Sequence, residues 1–137
     1  MKRWPLLLLM FAAGCVLAWL SVSVAGIAAA LPWPQRLSAL VREHPVAVHY
    51  SVTAVLYFLP IFLLCLTSGL VLFRWVSRGS ASLLAALLPH VLLSWLLGAG
   101  HWLLPPTSAF MFGLSAISVG ALPAGLIFAW WLSRRRP

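Results

Sequence analysis

The sequence predicts an all-α membrane protein: a bundle of four transmembrane helices, both termini cytoplasmic, with a short interfacial helix between the first and second crossings. Three observations predict it. Only 7% of the 137 residues are charged while 64% are hydrophobic, and a soluble domain carries about 25% charged residues. So few charges cannot cover a surface in water. Four apolar runs meet the length of about 20 residues that a helix needs to cross the hydrocarbon core. The Lys and Arg residues gather in short clusters between those runs, as expected for residues that orient a chain in a bilayer. The length allows a single integral domain, residues 1–137. Within lipid every backbone polar group must be satisfied locally, so the runs are read as helices. They lack the alternation of a membrane β-barrel.

The first crossing is read over residues 5–30, "PLLLLMFAAGCVLAWLSVSVAGIAAA". The opening "MKRWPLLLLMFAAGC" resembles a lipoprotein signal, with a basic start and small residues before Cys15. It departs from that pattern because Ala12 takes a place usually held by Leu and because the sequence after Cys15 stays apolar. A removable signal has an apolar region of about 7–15 residues, shorter than this one. The expectation is a retained first helix with Cys15 unlipidated. Cys15 and Cys65 both fall in apolar runs and form no Cys-x-x-Cys pair, so they are read as small hydrophobes.

An external segment follows, 31–45, "LPWPQRLSALVREHP". Pro34 suits a first helical turn, and Pro45 ends a helix at or before His44. Trp33, Leu37, Leu40 and Val41 fall near one face, with Arg36 and Glu43 on another. The segment reads as an amphipathic helix on the outer membrane boundary; a tight connector is the alternative. The second crossing is read over 46–73, the third over 81–104, the fourth over 108–132, and a basic cytoplasmic tail over 133–137. Lys2, Arg3, Arg74, Arg78, Arg134, Arg135 and Arg136 then lie on one side, facing Arg36, Arg42 and Glu43 on the other. The positive side is cytoplasmic, which puts both ends inside; the compactness of the chain suggests a bacterial inner membrane.

Burial cannot drive helices together in lipid, so small residues mark the seams. Expected packing stripes are Ser21, Ala25 and Ala29 in the first helix, Ser94 and Gly98 in the third, and Ala116, Gly120 and Ala124 in the fourth. Pro60, Pro89 and Pro123 sit inside the second, third and fourth runs, where each removes a backbone hydrogen bond and kinks its helix. Together the kinks suggest either a central cavity or ordinary membrane-helix proline usage.

Histidines supply the polar candidates. At about 1.5 Å per residue, His90 lies roughly 14 Å into the third helix and His101 about 16 Å beyond it, near the outer boundary. His49, near the start of the second helix, shares the depth of His101. The short link between the second and third helices makes them expected antiparallel neighbours, which brings His49 toward His101. The external rim is therefore Trp33, Arg36, Arg42, Glu43, His44, His49, His101 and Trp102. Its simplest role is anchoring helix ends; partner binding and a weak metal or haem site on His49 and His101 are the alternatives. His90 and His101, eleven apart on one helix, cannot grip the same iron. His90 and Ser94 are the intramembrane pair that would line a conduit, because ionisable groups at that depth face protein or water.

The chain has one acidic residue, Glu43, and no Asp. That argues against a proton- or cation-coupled exporter, which needs an intramembrane acid, and against paired-carboxylate catalysis. No serine triad or phosphate-binding glycine loop is present. The net charge of +8 lacks the interleaved basic face of a nucleic-acid binder. The expectation is a non-enzymatic protein without a cofactor, in contact with membrane lipid, that binds another membrane or periplasmic protein or its own copies. An accessory subunit of a membrane complex and an immunity protein against a bacteriocin or toxin both fit. An oligomeric solute or ion conduit is the rival reading, and a haem-carrying electron-transfer subunit the third.

Overall fold

A computed structural model describes residues 4–31, 35–102 and 109–135, with side chains for all of these except 29, 35–38, 97–102 and 109–112. The described chain is helical throughout, without a strand. α1 spans Trp4–Ala30, α2 Gln35–Glu43 and α3 Pro45–Val52. A π-helical segment, Thr53–Phe58, joins α3 to α4, Leu59–Trp75. α5 spans Ser80–Trp102 and α6 Ala109–Arg135. Three stretches are long and apolar enough to cross a membrane: Trp4–Ala28, Pro45–Trp75 and Gly113–Arg135. The fully described apolar part of α5, Ser80–Leu96, is shorter, although the helix itself continues to Trp102.

Local chemistry explains the boundaries. α1 passes through Cys15 without a break. α2 ends where Pro45 requires: His44 leaves helical geometry at φ −135° and ψ 63°, and Pro45 opens α3 from its first turn. Proline there costs nothing, because the first N–H groups of a helix have no intrahelical partner. The π segment precedes Pro60. Lacking an N–H, Pro60 cannot donate to Leu56, and the turn before it is rewound so that Leu59 N–H donates to the carbonyl of Ala54, five residues back. The sequence suggests only a kink at Pro60; what forms is a widened turn. α6 runs on to Arg135, so Arg134 and Arg135, expected in a tail, continue the helix. Cations are favoured in a last turn, and both lie over tryptophans one turn back.

The helices assemble as two close pairs, α4 with α6 and α1 with α5, which touch each other more sparingly. α4 and α6 run parallel, since Gly125 faces Cys65 and Gly69 faces Ala129. α5 runs against α6, with His90 opposite Val119 and Arg78, just before α5, held by Trp130 near the end of α6. α4, α5 and α6 therefore alternate in direction, and Arg74, Arg78, Arg134 and Arg135 share one end of the bundle. The expected antiparallel neighbours do not pack together: α5 rests on α1 rather than on α3 or α4. The reason is steric. Each close pair meets where a glycine removes a side chain. A Cβ on Gly125 would stand 2.7 Å from the Phe62 carbonyl oxygen and 2.8 Å from Cys65 Cβ, and one on Gly69 would stand 2.8 Å from Ala129 Cβ. A Cβ on Gly14 would collide with the Ala86 carbonyl.

The buried side chains follow these seams. Ile61, Cys65 and Phe73 of α4, with Gly69, form one four-residue stripe, met by Ala121, Leu122, Leu126 and Ala129 of α6. Met10, Leu17, Ala18 and Ser21 of α1 and Ser82 and Ala86 of α5 are buried as well. The seam of α6 thus runs through Ala121, Gly125, Ala129 and Ser133, one residue along from the stripe expected at Ala116, Gly120 and Ala124. Ala116 is exposed and Ala124 half-buried, and nothing lies within 4 Å of a Cβ placed on Gly120. In the first helix Ser21 is buried and Ala25 half-buried. Ser94 is half-buried, while the side chain of Ala29 and Gly98 fall outside the described residues. Outside the seams large apolar groups stand bare: Trp19 is 67% exposed, Leu84 68% and Trp95 66%. No aqueous surface tolerates such a shell; a bilayer does.

Candidate functional site

The polar groups of the expected outer rim divide into those the structure positions and those it does not. Trp33 lies outside the described residues, as do the side chains of Arg36, His101 and Trp102. Arg42, Glu43 and His44 are exposed at the end of α2 and the break before α3. His49 is half-buried. Its Nδ1–H donates to the Pro45 carbonyl at 2.7 Å. A carbonyl only accepts, so Nδ1 carries the proton in this contact.

His49 lines a cleft of about 180 Å³ with Ala28, Val52, Thr53, Leu56, Tyr57 and Ser118. The cleft lies beside the π segment, which supplies Thr53, Leu56 and Tyr57 to its wall. Thr53 opens that segment and Tyr57 lies within its last turn; the segment packs on both α6 and α1. π-bulges of this kind recur at functional sites. Four polar side chains, His49, Thr53, Tyr57 and Ser118, converge there from two chain segments, and Ala28 of α1 closes the side. The Ser118 hydroxyl donates to the Leu114 carbonyl at 3.0 Å, which leaves its oxygen as an acceptor. Tyr50, one turn above Thr53, packs its phenol where a side chain on Gly113 would otherwise sit. The set offers hydroxyl donors and acceptors and an imidazole, and is suited to hydrogen-bonding a polar group at the edge of an apolar slot. It holds no carboxylate.

Thr53, Tyr57 and Ser118 are absent from the expected site. A signal for two of them was present: His49, Thr53 and Tyr57 recur every four residues, a polar stripe through a largely apolar helix. Such stripes face protein or a cavity.

His90 has a different setting. It is half-buried, and its Nε2–H donates across to the Val119 carbonyl of α6 at 3.1 Å. Val119 stands four residues before Pro123, so its carbonyl is the one whose intrahelical donor proline removes. His90 supplies the missing donor. It also joins the α1/α5 pair to the α4/α6 pair. Ser94, one turn on, is half-buried. The premise that brought His49 toward His101 was a packed pair of second and third helices; with α5 seated on α1, that premise falls away. Among the described residues no group of three or more His, Cys, Asp or Glu is placed to hold a metal ion.

Compared with known protein families, characterised proteins and solved structures, the chain matches none.

Proposed function

We propose that the protein crosses a bacterial inner membrane four times, with both ends on the arginine-rich cytoplasmic side, and that it acts by binding a membrane or periplasmic partner rather than by catalysis. The observation that carries this reading is the cleft beside the π segment. It brings His49, Thr53, Tyr57 and Ser118 together at the end of the bundle opposite the arginines. α2 continues from that end and carries Arg42 and Glu43, both exposed. A rigid bundle that presents a slot and a short amphipathic helix needs no reactive residue to work. An accessory subunit of a membrane complex and an immunity protein against a toxin both act in this way. The conduit reading is weaker, because the Nε2–H of His90 is committed to Val119.

Site-specific photocrosslinking in native membranes tests the proposal. A benzophenone side chain replaces Tyr57, in the cleft, or Leu63, which is 47% exposed on the apolar surface. The expected result is a discrete protein adduct from position 57 and lipid adducts alone from position 63. Identical adduct patterns at the two positions would refute a partner site in the cleft. The identity of the adduct then separates a complex subunit from a toxin or its receptor.

A further inference from the structure

The opposite end of the α4–α6 seam carries a second arrangement, independent of the cleft and of the function proposed for it. Arg135 lies with its guanidinium carbon 3.6 Å from the ring centre of Trp131, and Arg134 lies 4.7 Å from that of Trp130. Trp130 is itself fixed, since its indole N–H donates to the Arg78 carbonyl at 3.1 Å. Arg74 closes the last turn of α4 at the same end. From Trp131 a continuous aromatic ridge leads away along the outside of the seam. Trp131 and Phe128 stack at 5.5 Å, Phe128 meets Phe62 at 6.3 Å, and Phe62 stacks on Phe58 at 5.6 Å. Phe128 is 44% exposed and Trp131 39%, so the ridge opens onto the surface.

Among the described residues no acidic side chain lies beside Arg134 and Arg135. The one acidic residue, Glu43, closes α2 at the other end of the bundle. A guanidinium stacked on an indole keeps its face covered and its in-plane N–H groups free to bond a planar or tetrahedral anion, and it is weakly hydrated. Paired arginines of this kind suit a phosphate, which accepts in bidentate fashion. The ridge that starts beneath them is apolar and continuous with the lipid-facing surface. We propose that this corner binds one anionic phospholipid, with Arg134 and Arg135 on its phosphate and an acyl chain along Trp131, Phe128, Phe62 and Phe58. A zwitterionic lipid is disfavoured, because its headgroup cation would be held against the same arginines.

Native mass spectrometry of the full chain tests this. The protein is released from neutral detergent with equimolar phosphatidylglycerol and phosphatidylcholine of matched acyl chains. Wild type is expected to retain one phosphatidylglycerol in preference to phosphatidylcholine. Each basic side chain near an anionic surface contributes roughly fivefold, so Arg134→Gln with Arg135→Gln should lower the preference about 30-fold. Trp131→Leu keeps both charges but loses the stack and the start of the ridge, and should fall between those two. Arg42→Gln, at the other end, should match wild type. Equal retention of the two lipids by wild type, or an equal loss in Arg42→Gln, would overturn the site. A Trp131→Leu variant indistinguishable from wild type would overturn the stacked geometry assigned to Arg135.

Discussion

Replacing His90 by leucine removes the one donor that reaches the Val119 carbonyl from outside α6, and the consequence can be worked out. Pro123 has already taken away the intrahelical donor, so the variant leaves that oxygen orphaned in a protein seam. Leucine fills much of the imidazole volume, which confines the loss to hydrogen bonding. Interhelical hydrogen bonds in membranes contribute about 0.6 kcal/mol on average and up to about 1.7 kcal/mol. An acceptor left buried and unpaired costs on the order of 1–3 kcal/mol. His90→Leu should therefore destabilise the bundle by about 1–2 kcal/mol, a factor of roughly 5 to 30 in the ratio of folded to unfolded protein. Pro123→Ala restores an N–H directly to Val119. In that background the same His90→Leu change should cost less than about 0.5 kcal/mol, because the carbonyl has a partner without the histidine. Reversible unfolding in mixed detergent, followed through the eight tryptophans, measures all four members of the cycle. Equal costs for His90→Leu with and without Pro123 would refute the reasoning, since the histidine would then act by something other than repairing the proline.

Other substitutions probe the seams and the cleft. Gly125→Ala places a methyl against the Phe62 carbonyl and Cys65 and should lower stability in the same unfolding assay by about 1–3 kcal/mol. Gly120→Ala meets nothing and should be neutral or stabilising by up to about 1 kcal/mol; the reverse order would place the α6 seam on the wrong face. Gly14→Val should force α1 away from α5 at Ala86 and lower stability in the same unfolding assay by about 1–3 kcal/mol or more. Pro60→Ala returns a donor to Leu56 and should anneal the widened turn. The expected readout is slower reaction of a cysteine at Thr53 with a small thiol reagent, in a background lacking Cys15 and Cys65; an unchanged rate would separate the π segment from the opening of the cleft.

Much of this architecture is written in the local sequence. The apolar runs, the stop at His44 and the start at Pro45 follow from backbone chemistry that acts within a few residues. Partner choice between helices does not. Both Ala116, Gly120, Ala124 and Ala121, Gly125, Ala129 are small-residue stripes on the same helix, and only the position of Cys65 and Gly69 on α4 decides which is used. The same non-local choice sets α5 on α1 instead of beside α4. Pro60 announces a disturbed helix, but whether it bends or rewinds depends on which acceptors its neighbours reach; the π turn, and with it Thr53 and Tyr57, follows from that choice. His90 is visible as a costly residue. Its purpose emerges only when Val119, twenty-nine residues away, is seen to lie opposite.

The account rests on an even number of crossings that put α2 and the arginine clusters on opposite faces of the membrane. Single cysteines at Arg42, Gly79 and Arg135, again without Cys15 and Cys65, can be tested with a membrane-impermeant maleimide on intact cells and on permeabilised ones. Labelling of position 42 from outside, with positions 79 and 135 reached only after permeabilisation, is the predicted result. Labelling of positions 42 and 135 from the same side would contradict it.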